Sequence, residues 1–194
     1  VKKAYKNIPY VLTNSQENAV KQISKDMSSS NRMHRLLQGD VGSGKTIVAF
    51  FSMLQAVENG SQAVIMAPTE ILARQHLETI KPLALILGIN IQILTSREKG
   101  KLRDQILKEL RIGTIDIAIG THAIFQEKVE FKDLRLAIID EQHRFGVHQR
   151  LALTSKGTAV DLLVMTATPI PRTLTLTVYG DMDISRLIEK PAGR

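Results

Sequence analysis

A glycine-rich octapeptide near residue 40 carries the clearest chemistry in the sequence. Residues 39–46 read GDVGSGKT and match the spacing G-x-x-x-x-G-K-[S/T] at every position. Glycines let the backbone curl so that its N–H groups point at phosphate oxygens, and a following helix brings the positive end of its dipole to the same place. The pattern predicts a phosphate-binding loop built from Gly39, Asp40, Val41, Gly42, Ser43, Gly44, Lys45 and Thr46.

The last two residues of this loop have the side chains that a nucleoside triphosphate requires. Lys45 can reach the β- and γ-phosphates, and the Thr46 hydroxyl can ligate Mg²⁺. A chance glycine-rich turn is the alternative, but an apolar run precedes the loop and an apolar-rich helical pattern follows it. The Asn-Lys-x-Asp sequence expected of a guanine-specific site does not occur in the chain. We therefore expect ATP with Mg²⁺.

Two adjacent carboxylates end a second apolar run, where residues 136–141 read LAIIDE. Ligand sites of parallel sheets lie beyond the carboxyl ends of the strands. This position allows Asp140 to hold Mg²⁺ through a water and Glu141 to polarise or deprotonate an attacking water. An isolated Asp-Glu pair after a strand is usually a solvated turn. Together with the phosphate loop, the pair predicts a site of ATP hydrolysis with Lys45, Asp140 and Glu141 as its catalytic residues.

Short apolar runs alternate with helical patterns along the chain, which is typical of βαβ units around a parallel sheet. The expected strands are 33–37, 63–67, 89–94, 115–119, 136–139 and 162–165, and the expected helices are 16–27, 45–58, 71–87 and 102–110. Pro82 lies inside the third helical pattern and predicts a kink or break there. The predicted fold is α/β, a three-layer P-loop NTPase domain with a mostly parallel central sheet.

Composition narrows the class of protein further. The 194 residues carry a net charge of +7, which favours polyanions such as nucleic acids, although solubility alone is an alternative explanation. Cysteine is absent, so disulfides and thiolate metal sites are impossible. Aromatic residues make up 4% of the chain, which argues against base stacking as the main binding mode. The longest apolar stretch, residues 83–94, is interrupted and too short to span a membrane, and we expect a cytoplasmic protein.

The order of the motifs resembles that of superfamily 2 helicases of the DExH type. Residues 140–143 (DEQH) are similar to the DExH box, and residues 12–16 (LTNSQ) to the segment whose glutamine reads adenine. Residues 67–70 (APTE) and 120–123 (GTHA) resemble the DNA-facing motifs Ia and Ic, and residues 166–169 (TATP) resemble motif III. The resemblance implies a RecA-like domain with an adenine contact by Gln16, coupling residues His143, Thr166 and Thr168, and DNA-backbone contacts by Thr69, Arg74, Thr121 and His122.

Several of these roles have a structural alternative. Thr13 and Gln16 also form the pattern of a capping box at the start of a helix. Thr69 is alternatively a helix N-cap, and Thr168 the cap of a helix that begins at Pro169. The residues expected at DNA are alternatively surface residues without a ligand. Capping and phosphate contact both use helix N-termini, so the two interpretations are compatible.

Two features stand outside the resemblance. His34, His76 and His148 have no comparable context, and we interpret them as structural or solvent-facing. Residues 94–98 (LTSRE) lie where the family usually has a glycine in a Thr-Gly or Ala-Gly pair. Loss of that glycine changes which backbone angles are easily adopted and predicts a weaker phosphate contact at this loop.

Two longer strings narrow the resemblance within the superfamily. Residues 140–147 (DEQHRFGV) and 165–174 (MTATPIPRTL) resemble the bacterial translocases that remodel replication forks, with Gln142 and Ser43 favouring them. The nearest alternative is the family of transcription-repair coupling translocases. The resemblance implies branched double-stranded DNA, such as forks and Holliday junctions, as the partner.

The resemblance also implies a division into domains. We expect a basic lead-in arm at residues 1–12 and the first RecA-like domain at residues 13–194. The second RecA-like domain and the wedge domain of this family have no counterpart in the sequence, so we expect an excised piece or a split-gene product that is monomeric and, alone, weakly active or inactive. The alternative is a non-catalytic remnant that binds nucleotide or DNA.

Overall fold

The computed structural model describes residues 11–140, 155–168 and 182–191. Strands and helices alternate along most of this part of the chain, and a 3₁₀ turn at His122–Phe125 follows the fourth strand. The helices are α1 (Asn14–Met27), α2 (Lys45–Glu58), α3 (Glu70–Leu87) and α4 (Gly100–Ile112). The strands are β1 (His34–Gly39), β2 (Gln62–Met66), β3 (Ile91–Leu94), β4 (Ile117–Gly120), β5 (Leu134–Asp140), β6 (Asp161–Thr166) and β7 (Asp183–Leu187).

The described strands form one parallel sheet in the order β3-β4-β2-β5-β6-β1-β7. All six predicted strands are present, and the predicted α/β architecture is confirmed. β7 was not predicted, because its sequence DISRL mixes polar and apolar residues and buries only some of them. It lies at the edge of the sheet beside β1, where a continuous apolar run is not required.

Successive residues of a strand direct their side chains to opposite faces of the sheet, and both faces are buried. Leu37 and Ile138 belong to the cluster that packs under α1, α2 and α3, whereas Leu36 and Ile139 belong to the cluster on the α4 face. α2 is the inner helix, since nine of its 14 residues are buried. Because the described strand pairs are all parallel, the loops that follow these strands share the carboxyl edge of the sheet.

α3 corrects one prediction. The helix runs from Glu70 to Leu87 without interruption, so the break expected at Pro82 does not occur. Proline removes the N–H that would bond the carbonyl of Glu78, but both residues are exposed, and water can satisfy that carbonyl. Even this 18-residue helix is not long and apolar enough to cross a bilayer, and the same holds for the other helices of the described residues.

Candidate nucleotide-binding site

The glycine-rich loop connects the carboxyl end of β1 to the first turn of α2. Gly42 and Gly44 both have φ of +82°, a left-handed conformation that glycine adopts without steric cost. Gly44 is the N-cap of α2, and no side chain caps that helix terminus. The first N–H groups of α2 therefore point out of the loop together with the positive end of the helix dipole, which is the arrangement that binds phosphate.

Close packing explains why two loop positions are glycine. A Cβ at Gly39 would lie 2.5 Å from the Ser43 hydroxyl oxygen and 2.9 Å from Cβ of Leu187 in β7. A Cβ at Gly44 would collide with the side-chain amide of Gln16 in α1. The loop is thus held between β7 on one side and α1 on the other, and its backbone has little freedom to open.

Polar groups inside the loop suit an anionic ligand. The Lys45 ammonium donates to the carbonyl oxygens of Gly39 at 2.6 Å and Asp40 at 3.0 Å, so it lies across the loop. The Ser43 hydroxyl is buried and makes no hydrogen bond within the described part of the chain. A phosphate would offer this ammonium charge-assisted hydrogen bonds, which are stronger than those to neutral carbonyls. The loop therefore fits the triphosphate that its sequence predicts.

Gln16 joins the first helix to this loop. Its side-chain oxygen accepts the Thr13 N–H at 3.0 Å, and the Thr13 hydroxyl accepts the Gln16 N–H at 3.2 Å, so the predicted capping box is confirmed. Its side-chain nitrogen donates to the Ser43 carbonyl at 2.8 Å. Gln16 is 1% exposed and holds the phosphate loop by a direct bond, whatever contact it makes with a nucleotide base.

Asp140 is the last residue of β5 and lies on the same edge of the sheet as the loop. β6 separates β5 from β1, and its register pairs Met165 with Asp140 on one side and Thr166 with Gln38 on the other. Adjacent strands are about 4.8 Å apart, so β5 and β1 are about 10 Å apart. The sheet therefore places Asp140 level with Leu37, two residues before the phosphate loop, at the separation of two strands.

His76, which the sequence interpretation treated as structural or solvent-facing, is buried in contact with Asp140. Its Nε2 lies 2.6 Å from Oδ2 of Asp140, and both residues are 8% exposed. The available signal was its spacing, because His76 follows Ala73 by three residues and precedes Ile80 by four, on the buried stripe of α3. A buried imidazole needs a polar partner, but the sequence alone does not say which one.

Thr166 and Thr168 lie beside the loop at the end of β6. Their hydroxyl groups are 2.8 Å apart, and the Thr168 N–H donates to the Thr166 hydroxyl oxygen. The Thr168 carbonyl accepts the side-chain amide of Gln38 at 3.1 Å. Gln38 immediately precedes the phosphate loop, so the two motifs are joined by a hydrogen bond that the sequence did not predict.

The residues expected at DNA lie at the carboxyl ends of β2 and β4 or in the helices that follow. Thr69 is the N-cap of α3, since its hydroxyl accepts the Leu72 N–H, so the alternative role predicted for it is confirmed. Arg74 is engaged by two carboxylates, Glu70 at 3.0 Å and Glu98 at 3.3 Å. Thr121 and His122 lie at the start of the 3₁₀ turn after β4.

Glu98 holds the loop that lacks the expected glycine. Its carboxylate accepts the N–H of Thr95 at 2.7 Å and the Thr95 hydroxyl at 2.6 Å, besides contacting Arg74. Burial by itself raises the pKa of Glu98, but the bonds from Thr95 and Arg74 outweigh burial and hold the pKa below its ordinary value. The loop is thus closed by a side chain rather than by glycine geometry.

The remaining predicted site residues fall outside the described part of the chain. They are Glu141, Gln142, His143 and His148, the rest of the string 140–147, and the residues of 165–174 that follow Thr168. Their predicted roles stay predictions.

The fold and the site together define a class, a P-loop NTPase with an acidic strand end beside its phosphate loop. A family model described as DEAD/DEAH box helicase matches residues 13–177. The chain belongs to the DEAD/DEAH box helicase family. The resemblance to superfamily 2 helicases is therefore confirmed.

Comparison with individual proteins shows which members of the helicase family this chain closely resembles in sequence. The chain is 53% identical over 189 residues to ATP-dependent DNA helicase RecG of Bacillus subtilis (strain 168), covering 97% of this chain and 28% of that protein. It is 49% identical to the RecG of Aquifex aeolicus (strain VF5), covering all of this chain and 25% of that one. The two longer strings predicted this resemblance to RecG, and it is confirmed. The chain spans about a quarter of the length of these relatives.

Solved structures agree with the sequence comparison. A structure of RecG bound to a three-way DNA junction superposes with a TM-score of 0.83 at 46% identity, covering all of this chain and 26% of that one. The DUF1998 helicase MrfA superposes with a TM-score of 0.72 at 20% identity, covering all of this chain and 32% of that one. The second likeness shows the fold alone.

Proposed function

We propose that this chain is the ATP-binding motor domain of a DNA helicase or translocase that acts on branched DNA. The observation that carries the proposal is the position of the phosphate loop and Asp140 at the same edge of the sheet, where only β6 separates β5 from β1. The RecG relatives are ATP-dependent DNA helicases by name, and one is seen on a three-way junction. Such a role would place the protein in the cytoplasm, in DNA repair and recombination.

The nucleotide would be held mainly by the loop residues 39–46, with Lys45 facing the phosphates and Gln16 at the base. Thr46 and Asp140 would hold Mg²⁺, which neutralises phosphate charge as it develops during hydrolysis. Glu141, the next residue after Asp140 in the sequence, would activate the attacking water. These side chains suit ATP hydrolysis because they combine a cation, a magnesium carboxylate and a general base.

DNA would be contacted through its phosphate backbone, as movement along any sequence requires. Thr69, Arg74, Thr121 and His122 are the proposed contacts, and their support is their position at one end of the sheet, with Arg74 on the outer part of α3. The link from Gln38 to Thr168 supports coupling between nucleotide and DNA through Thr166, Thr168 and His143. Through this bond, a shift of the phosphate loop would reach the end of β6.

The domain division stays part of the proposal. Residues 13–194 would form the first RecA-like domain after an arm at residues 1–12, with a second RecA-like domain and a wedge domain as its partners. An arginine finger from a second domain contributes about 10³–10⁵ in rate in related phosphoryl-transfer enzymes. We therefore expect slow hydrolysis from this chain by itself, and a recovered rate when a second motor domain is added in trans.

ATP hydrolysis with and without a three-way DNA junction tests the proposal. Wild type should turn over slowly, whereas Lys45→Ala and Glu141→Gln should abolish turnover. Lys101→Ala, at an exposed lysine of α4, is the matched control and should behave like wild type. Nucleotide binding that does not change in Lys45→Ala would refute the phosphate-loop assignment. Turnover that survives Glu141→Gln would refute the role of that carboxylate.

A further inference from the structure

His76 has no role in the site as proposed above, yet it contacts one of the site's carboxylates. α3 begins after β2, and β2 is hydrogen-bonded to β5, the strand that ends in Asp140. The second turn of α3 therefore passes beside the end of β5. His76 belongs to that turn and directs its ring at the carboxylate.

The direction of this hydrogen bond follows from the chemistry of the partners. An ionised carboxylate only accepts hydrogen bonds, so the His76 tautomer that suits such a partner is the one with its proton on Nε2, whose N–H then donates to Oδ2 of Asp140. Both side chains are buried, so the bond forms in a medium of lower dielectric than water, where it is stronger. Engagement of Oδ2 restricts the rotation of the carboxylate, so Oδ1 would be the oxygen that meets a cation or its bound water.

We propose that His76 is a positioning residue that fixes the Asp140 carboxylate for Mg²⁺ bound with the nucleotide. The inference rests on the proposed function. Groups that hold a ligating side chain in place typically contribute 10–100-fold in metal affinity, because the ligand then does not have to be ordered when the metal binds. A histidine placed here only to fill the core would leave metal affinity unchanged when replaced by an apolar side chain.

The test compares three substitutions that separate packing from hydrogen bonding. His76→Leu keeps an apolar volume and removes the donor. His76→Gln places a side-chain N–H at about the reach of Nε2, and His76→Asn has a similar amide on a shorter side chain. His34→Leu makes the same change at an exposed histidine at the start of β1, far from the carboxyl edge.

The measurement is the binding of a fluorescent ATP analogue to the whole chain, titrated with Mg²⁺ and repeated in EDTA. His76→Leu and His76→Asn should raise the Mg²⁺ concentration at half-saturation by about 10–100-fold, and His76→Gln should restore most of it. In EDTA, wild type and the three His76 variants should bind the analogue with equal affinity. His34→Leu should have the same Mg²⁺ midpoint as wild type.

The outcomes distinguish a failure of this inference from a failure of the proposed function on which it rests. If Lys45→Ala binds the analogue as wild type does, both the function and the inference are overturned. If Lys45→Ala loses binding while His76→Leu keeps the wild-type Mg²⁺ midpoint, only the inference fails. Circular dichroism checks folding, and if His76→Leu is unfolded, the Gln and Asn variants decide, since equal Mg²⁺ midpoints in those two would overturn the positioning role.

Discussion

The carboxyl edge of the sheet has two halves, the loop after β1 and the loops after β2 and β3, and these halves hold their charged groups in different ways. At β1, the loop is shaped by glycines, and Lys45 rests on backbone carbonyls. Beyond β2 and β3, the shape comes from side chains, because Arg74 and Arg97 both pair with Glu70 and Arg74 also reaches Glu98. A phosphate entering the first half competes with backbone carbonyls for Lys45, whereas one entering the second must compete with carboxylates for Arg74 and Arg97.

The difference suits the two ligands that we propose. A nucleotide site needs one geometry, and backbone N–H groups held by positive-φ glycines supply it without rearrangement. A surface that moves along DNA must bind and release the backbone repeatedly, and cations shared with carboxylates give an affinity that is easily reversed. Three predictions test this contrast, the first of them on the glycine-built half, and a fourth concerns a carboxylate at the opposite edge of the sheet.

Gly44→Ala should have the largest effect. Both Gly42 and Gly44 have φ of +82°, and an L-residue there costs about 1–2 kcal/mol. Only Gly44 is also crowded, by the Gln16 amide, so its substitution should cost about 1 kcal/mol more through the lost bond to Ser43. Urea unfolding of Gly42→Ala and Gly44→Ala measures the difference. Equal losses would show that α1 does not constrain the loop.

Glu98→Gln should reduce the free energy of unfolding by about 1–2 kcal/mol at neutral pH, since a charged acceptor of several hydrogen bonds is lost. The folded-state pKa of Glu98 is lowered, so its stabilisation is present above its ordinary pKa of 4.5 and is lost as the pH falls through the folded-state value. Wild type and variant should therefore converge in acid. Glu78→Gln, an exposed change on α3, is the control, and a pH-independent difference would contradict the prediction.

Arg74→Ala should weaken binding to a three-way junction several-fold and by the same factor for every DNA sequence. One phosphate contact fewer should lower the salt slope of the affinity by about 1. Glu70→Gln should act in the opposite direction, because it releases Arg74 and Arg97 from a shared carboxylate. Fluorescence anisotropy at several salt concentrations measures both. If neither variant changes the slope, the ion-paired half is not a DNA surface.

Asp161→Asn should have the smallest effect, and it contrasts with Glu98. Asp161 is buried at the start of β6, and its Oδ2 has no hydrogen-bond partner among the described residues, although Arg135 lies 3.6 Å away. Burial raises the pKa of Asp161, and the Met33 N–H and Arg135 only partly oppose it. Its contribution to stability is therefore complete below its ordinary pKa of 3.8 and is lost as the pH rises through the raised value.

Because asparagine still accepts the Met33 N–H, the variant should equal or exceed wild type at pH 7 by less than about 1 kcal/mol. That advantage should disappear in acid. Thermal unfolding across pH measures it, with Asp104→Asn on the exposed side of α4 as the control. A variant that is less stable at neutral pH would show that the carboxylate is better paired than its contacts indicate.

Local patterns predicted much of this molecule. The octapeptide 39–46, the six apolar runs and the Thr13–Gln16 capping box depend on residues close together in the chain, and each has the predicted geometry. β7 escaped prediction because an edge strand needs few apolar residues. Pro82 does not break α3, because the cost of its missing N–H depends on solvent around Glu78 rather than on the helical pattern.

The sequence by itself determined the phosphate loop, the acidic strand end and the helicase family, because each is a short string whose chemistry is local. Tertiary structure decided the order of the strands, the bond from Gln38 to Thr168 and the pairing of His76 with Asp140. His76 and Asp140 are 64 positions apart in the sequence, and no local preference relates them. Only packing of α3 against the sheet brings the imidazole to the carboxylate, so contacts between distant segments had to come from the structure.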